Sequence, residues 1–206
     1  MVSVSNQGVN FLAHLCLADL HGICLPGSLL GDFAKGPIDD LPTREVQLAV
    51  SLHRRIDSFT DQHELVRRGK QRLDPELRHF RGVLIDIFFD HYLSRHWDRF
   101  HDQPLEAFCA AVYEQIAAHR PALPKRMHRL VDYMIGNHLL GSYAQISGIQ
   151  HALEGMSRRF PRPNPLKRGA KELERHYEEL EVDFLEFFPL LVNFVERSVP
   201  ILRESP

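Results

Sequence analysis

Apolar residues recur along this chain at helical spacing, and no alternating run is long enough for a sheet, so the pattern predicts an all-α fold. Residues 8–20 predict a helix that is apolar around almost its whole circumference, through Val9, Phe11, Leu12, Ala13, Leu15, Leu17 and Leu20, and therefore buried. His21 to Gly27 reads as a turn-rich connection, and 28–35 as a short helical piece closed by Gly36-Pro37. Thr43 supplies an N-cap for a central helix over about 44–61, and a second short helix follows it. Asp74-Pro75 supplies an N-cap and an N1 proline for a long helix over about 75–99, apolar nearly all round from Val83 to Leu93. Further helices are predicted over about 104–119, 125–140, 142–155 and 165–198, the last with a break near Pro189. A single-domain helical bundle over 1–206 accommodates them all.

The polar residues that interrupt these faces carry the chemistry. Asn10 and His14 lie one turn apart in the first helix. Asp32 sits in an otherwise apolar turn, where an unpaired carboxylate is costly, and either a salt bridge to Lys35 or a distant arginine, or a metal, would answer it. On the central helix His53, Asp57 and Asp61 fall within an arc of roughly 80°, beside an apolar stripe of Leu48, Leu52, Ile56 and Phe59. Arg54 joins that edge. Ordinary helix ion pairs on a solvated face use the same residue types. In the long helix Asp86 and Asp90 are one turn apart with His91 adjacent, all within the apolar stretch. Two buried carboxylates call for a cation, either a metal or an arginine such as Arg54 or Arg95. His101-Asp102, the one literal His-Asp doublet, is expected at a helix terminus with nothing buried around it, and reads as no ligand pair.

Composition narrows the choices. A net charge of -2 excludes a general nucleic-acid binder. Cys16, Cys24 and Cys109 form no CxxC arrangement and fit a reducing cytoplasm. No basic leader precedes an apolar run, and no stretch reaches a membrane span, so the expectation is a soluble cytoplasmic protein with no membrane partner. Basic residues gather at Lys125, Arg126 and Arg129, and again at Arg158, Arg159, Arg162, Lys167 and Arg168. Such clusters are solvated surface or a dock for an acidic partner.

Together the chain offers Asp32, His53, Asp57, Asp61, Asp90 and His91 as ligands, with Asn10, His14, Asp86 and Arg95 behind them. Mixed oxygen and nitrogen donors suit Mn²⁺, Mg²⁺ or Fe²⁺ better than a closed structural zinc site. Such an ion with arginine beside it favours hydrolysis of a phosphate ester. Two other readings use the same residues: a phosphohydrolase of a nucleotide or other small diester, and a non-catalytic helical interaction module whose buried charges are ion pairs.

Asn10-Phe11-Leu12-Ala13-His14, Leu29-Leu30-Gly31-Asp32-Phe33, His53-Arg54-Arg55-Ile56-Asp57 with Thr60-Asp61, Asp90 through Trp97, and more weakly Gly155 through Arg159, occur in an order that resembles the acyl carrier protein phosphodiesterase (acyl carrier protein hydrolase) family. The similarity runs from about residue 9 to 197. It implies a helical fold related to HD-type metal-dependent phosphohydrolases, and hydrolysis of the phosphodiester joining 4′-phosphopantetheine to a serine of holo-acyl carrier protein, with Mn²⁺ or a similar ion. By motif position Asp32 is the essential carboxylate, and His53, Asp57, Asp61, Asp90 and His91 take the remaining metal roles. The catalytic group expected is Asp32, Arg54 and His91. The doublet here runs Asp90-His91, the reverse of the HD order. An acidic carrier protein would dock on the two basic clusters.

Overall fold

The computed structural model describes residues 10–204, and among them the chain is helical with no strand. In chain order the helices are α1 (Phe11–Asp19), α2 (Leu25–Leu30), α3 (Arg44–Gln62), α4 (Glu64–Arg72), α5 (Arg81–Arg95), α6 (Leu105–His119), α7 (Lys125–Gly136), α8 (Leu139–Ser142), α9 (Ile146–Ser157), α10 (Gly169–Arg175) and α11 (Tyr177–Glu204). The expected helix start at residue 8, with Val9, and the reading of the first residues as free of a leader lie outside the described residues.

α5 forms the centre. Every residue from Val83 to Ser94 is buried, as a helix apolar on all sides requires. α1, α4, α9 and α11 pack around it. α11 contributes Phe184, Phe187 and Phe188, whose rings meet Phe89 and Tyr92 of α5 and Phe100 beyond it. It also gives the fully buried Asp183 to Arg68 and Arg72 of α4, at 2.6 and 3.1 Å. A buried carboxylate between two guanidinium groups is a tie whose rupture leaves an unpaired charge in the core.

Several predicted boundaries move. The 75–99 helix is three pieces: a 3-10 turn over Pro75–Phe80, α5, and a second 3-10 turn over Trp97–Arg99. Asp74 caps the first piece as expected, accepting from the Glu76 amide at 2.8 Å, but Arg78 turns left-handed (φ 37°) and stops that turn from running into α5. The break expected near Pro189 falls at His176 (φ -118°, ψ 28°), and Pro189 lies inside α11. Phe187, Phe188 and Leu191 are buried on either side of that proline, and this packing holds the helix through one missing donor. His101 is buried rather than at an exposed terminus: its ring stacks on Trp97 and its Nε2 lies 3.1 Å from the Asp19 carboxylate. The central helix is as expected, with the Thr43 hydroxyl accepting from the Val46 amide.

The site depends on how α2 sits on α3. Gly27 and Gly31, one turn apart, face α3: a Cβ at Gly27 would lie 2.8 Å from that of Ala49, and one at Gly31 would lie 2.2 Å from the His53 ring. Only glycine permits that approach. Arg54 of α3 then reaches back, donating to the carbonyls of Ala34 and Gly36 at 3.0 Å each, and so fixes the turn that carries Asp32.

Candidate active site

α1 has no local cap. Asn10 occupies its N-cap position without a side-chain hydrogen bond, yet a buried helix start must satisfy its first amides. Asp90 of α5 does so from across the chain, its two oxygens accepting from Leu12 and Ala13 at 2.9 Å each. The carboxylate is 0% exposed and sits where the helix dipole favours negative charge. Burial pushes its carboxyl well above the ordinary range against the pull of those two amides. This anchoring sets the register of α1, and with it the position of His14.

His14 and His53 stack, ring centroids 3.8 Å apart and planes 14° off parallel. His14 Nε2 lies 3.0 Å from Asp57 Oδ1 and its buried Nδ1 has no partner. His53 Nε2 lies 3.3 Å from Asp57 Oδ2 and 3.4 Å from Asp32 Oδ1, yet is aligned for a hydrogen bond with neither; its Nδ1 is also buried and unpartnered. Orphaned polar atoms in a core are costly unless something absent from the chain completes them. His14, His53 and Asp57 each offer a ligand atom, and these lie within 4.8 Å of one another. Two imidazoles and a carboxylate at that spacing are donors for a divalent metal ion, and the unsatisfied ring nitrogens fit one.

Charge follows from the same contacts. Burial opposes a proton on His53, but Asp32 and Asp57 together raise its pKa to about 10. His14 moves the other way, lowered by burial and by the neighbouring His53. Burial also opposes ionisation of Asp57, yet the two histidines hold its carboxyl below the usual range. Its side chain is 37% exposed, so the cluster opens to solvent on that side.

Asp32 belongs to a second feature as well. It lines a cavity of about 440 Å³ together with Phe33, Lys35, Arg126, Arg129, Leu130 and Arg159. Arg126 is steered there by a hydrogen bond from its guanidinium to the Phe33 carbonyl. One aspartate thus stands between a His/Asp cluster and a wall of four cations.

The expected site residues separate into two groups. Asp32, His53 and Asp57 come together, joined by His14. Asp61, Asp90 and His91 do not join them. Asp61 is half exposed and pairs with Lys70 of α4 at 2.9 Å. His91 is buried, its Nδ1 donating to the Tyr143 carbonyl at 2.7 Å and its Nε2 accepting from the Tyr177 hydroxyl at 3.0 Å. Burial lowers its pKa and keeps the ring neutral. Arg95 lies near enough to bear on the charge of both His91 and Tyr177. Among the described residues no side-chain cation pairs with the α5 carboxylates: backbone amides serve Asp90, and burial raises Asp86 to about 8, so it is protonated at neutral pH. Asp86 nonetheless feels Lys70, Asp57, Asp61 and Asp32, which places it at the edge of the cluster. Arg54 holds the Asp32 turn through carbonyls and is not among the residues lining the cavity. Among the basic residues, Arg158 pairs with Glu154 and Arg168 with Glu76.

Sequence reasoning offers Lys35 only as an ion-pair partner for Asp32, not as a residue of the site, and misses the role of Gly31. Lys35 follows Asp32 by three residues in the turn closed by Gly36-Pro37, a spacing that was legible had the turn been read as part of the site.

A sequence model of the family described as acyl carrier protein phosphodiesterase matches residues 9–191. Proteins of that name align over most of their length. The one from Klebsiella pneumoniae (strain 342) is 36% identical over 92% of this chain and 99% of its own. The one from Salmonella dublin is 38% identical over the same shares, 92% and 99%. The one from Enterobacter sp. (strain 638) is 37% identical over 89% and 96%. No solved structure matches the chain. No helix among the described residues is long and apolar enough to cross a membrane.

Proposed function

The chain belongs to the acyl carrier protein phosphodiesterase family, and from that premise we propose that it hydrolyses the phosphodiester between 4′-phosphopantetheine and the serine of holo-acyl carrier protein, releasing apo-carrier in the cytoplasm. One observation supports the reading above the others: Asp32 borders both the His14–His53–Asp57 cluster and a cavity walled by Lys35, Arg126, Arg129 and Arg159. A phosphate ester needs both kinds of neighbour.

His14, His53 and Asp57, with Asp32 beside them, would hold the divalent ion. Their nitrogen and oxygen donors favour Mn²⁺, with Mg²⁺ or Fe²⁺ as substitutes. Such an ion, when bound, supplies Lewis acidity to a phosphoryl oxygen and makes water a better nucleophile at neutral pH. The chain supplies the rest. Asp57 stays ionised under the two imidazoles. Stacking and the absent Cβ of Gly31 lock the His53 ring, so the donors are oriented before substrate arrives. The cavity cations offer a fixed positive wall, which costs no reorganisation when charge develops on phosphate oxygens.

The wider basic face, Lys125, Arg126 and Arg129 with Arg158, Arg159, Arg162, Lys167 and Arg168, would receive the acidic surface of the carrier. Arg158 and Arg168 must leave Glu154 and Glu76 to take part, so they add less than the unpaired residues.

The deciding experiment is to incubate the protein with holo-carrier and Mn²⁺ and weigh the carrier by mass spectrometry. Loss of the phosphopantetheine mass supports the reading. Unchanged carrier, with hydrolysis of a nucleotide or other small diester instead, overturns the assignment of substrate. A protein purified without chelator that carries no stoichiometric metal and hydrolyses neither is an interaction module. Charge reversal at Arg158 and Arg159 is expected to raise KM for holo-carrier, and an unchanged KM would remove that face from the docking surface.

A further inference from the structure

The cavity beside Asp32 holds more positive charge than a single phosphodiester calls for. Lys35 comes from the turn after α2, Arg126 and Arg129 from α7, and Arg159 from just beyond α9. Elsewhere Arg68, Arg72, Arg120, Arg158, Arg168 and Arg175 each face a carboxylate within 3.4 Å. Among the described residues, Lys35, Arg129 and Arg159 face none within salt-bridge distance, and the cavity contributes one carboxylate, Asp32, against four cations. Three separate segments have brought cations together and left them without anionic partners. The anion that completes such a place comes from outside the chain.

Hydrolysis changes the charge of its own substrate. Water's oxygen joins phosphorus as the bond from phosphorus to the serine oxygen breaks. The serine oxygen takes a proton, and the phosphate leaves with the pantetheine arm, shedding a second proton to solvent. The diester carried one negative charge. The monoester, with a second pKa near 6, carries close to two at neutral pH. Coulomb attraction to a fixed set of cations grows with that charge.

We infer that the chamber formed by Lys35, Arg126, Arg129 and Arg159 is the seat of the departing phosphomonoester. It binds the phosphate of released 4′-phosphopantetheine more tightly than that of the intact diester, and so makes the reaction subject to product inhibition. The inference rests on the hydrolysis reading above. It adds to their part in the hydrolysis a hold on the product's phosphate, which is distinct from any contact that Arg126, Arg129 and Arg159 make with a carrier surface.

Binding of inorganic phosphate, 4′-phosphopantetheine and phosphate-free pantetheine to the full-length protein, as purified and again after chelation, tests this by calorimetry at low and high salt. Both phosphates are expected to bind, more weakly in high salt, and pantetheine to give no signal. Arg129→Gln and Arg159→Gln should each raise the Kd for both phosphates about tenfold, before and after chelation, as loss of a charge-assisted hydrogen bond does. Arg129→Lys should recover part of the loss, and Lys171→Gln, on α10 and outside the cavity lining, should leave Kd unchanged. Unchanged thermal midpoints confirm that the variants fold. Equal phosphate binding by wild type and the doubly substituted Arg129→Gln, Arg159→Gln protein, or pantetheine binding as well as its phosphate, overturns the inference. Holo-carrier hydrolysis, scored separately, tells the two failures apart. Phosphate held by these residues in a protein that leaves carrier intact sinks the substrate assignment alone; carrier cleaved by a protein whose chamber ignores phosphate sinks the chamber alone.

Discussion

Two buried polar groups lie within one turn or two of each other in this molecule and behave oppositely. On α5, Asp90 and His91 are buried and fully matched by groups of the chain: two amides, a carbonyl and a tyrosine hydroxyl. Between α1 and α3, His14 and His53 are equally buried and end with three ring nitrogens that nothing in the chain satisfies. Both groups read alike as residue types. The difference teaches that burial of an acid or an imidazole marks a site only when its hydrogen-bonding capacity is left open. A carboxylate answered by backbone is architecture.

That contrast breaks if substitutions in the two groups have the same kind of effect. Asp32→Ala is expected to cut turnover on holo-carrier on the order of 10³-fold while lowering the thermal midpoint only by the loss of its ion pair with His53, which Asp57 still partners. Loss of activity that merely tracks loss of folded protein would make Asp32 a structural residue. Gly31→Ala should cost about 10²-fold in turnover, because its methyl cannot coexist with the His53 ring where it stands and misplaced groups lose rate steeply. Steady-state kinetics with metal in excess measures this, and a near-native rate would show that the ring position is not critical.

Asp90→Ala should act on the other side of the comparison. It strands the Leu12 and Ala13 amides in the core and should remove about 2 to 4 kcal/mol of unfolding free energy, with turnover per folded molecule falling only as far as the loosened start of α1 lets His14 move. Asp90→Asn, which keeps one acceptor, should cost about half as much. Urea unfolding with a parallel count of active molecules separates stability from rate.

The smallest effect is in pH. His53 has a folded pKa of about 10, above its unfolded value of 6.5. Its contribution to the metal-free protein is therefore complete below 6.5 and is lost as pH rises through about 10. Asp57 is depressed, so its contribution is present above the usual carboxylate range and is lost as pH falls through it. Metal must displace the His53 proton, so apparent affinity should rise about tenfold per pH unit from neutral pH up to about 10 and level off beyond it. Isothermal titrations in buffers of different ionisation heat should find about one proton released near neutral pH. Metal binding with no proton released would contradict a protonated His53 in the metal-free protein.

Much of this was readable in advance, and the omissions share a cause. Helical spacing placed His53 and Asp57 on one edge of α3, and the cost of a lone carboxylate in an apolar turn singled out Asp32. The same spacing put Asp61 with them, because periodicity within a helix cannot see that Lys70 of the next helix claims it. Asp90 and His91 were recognised as buried, but their partners are backbone groups 77 and 78 residues away and a carbonyl 52 residues away, which no side-chain pattern records. His14 ranked behind the others for want of a visible partner; its partner is a ring stacked across two helices. Lys35 was visible as a neighbour of Asp32, but its place in a basic wall depends on Arg126, Arg129 and Arg159 arriving from distant segments. The fold class followed from periodicity throughout, whereas the breaks at Arg78 and His176 depend on single dihedrals that the packed chain selects.

The bond from Asp90 to the start of α1 has a consequence for how the protein comes to exist. His14, Asp32, His53 and Asp57 all leave the ribosome before residue 90 does. A growing chain therefore displays every ligating side chain while the first helix still lacks its anchor, and the pocket cannot be pinned until translation has passed well beyond them. Metal capture is thus scheduled after synthesis of the central helix, and nascent chains arrested short of that point should bind the ion far more weakly than the finished protein.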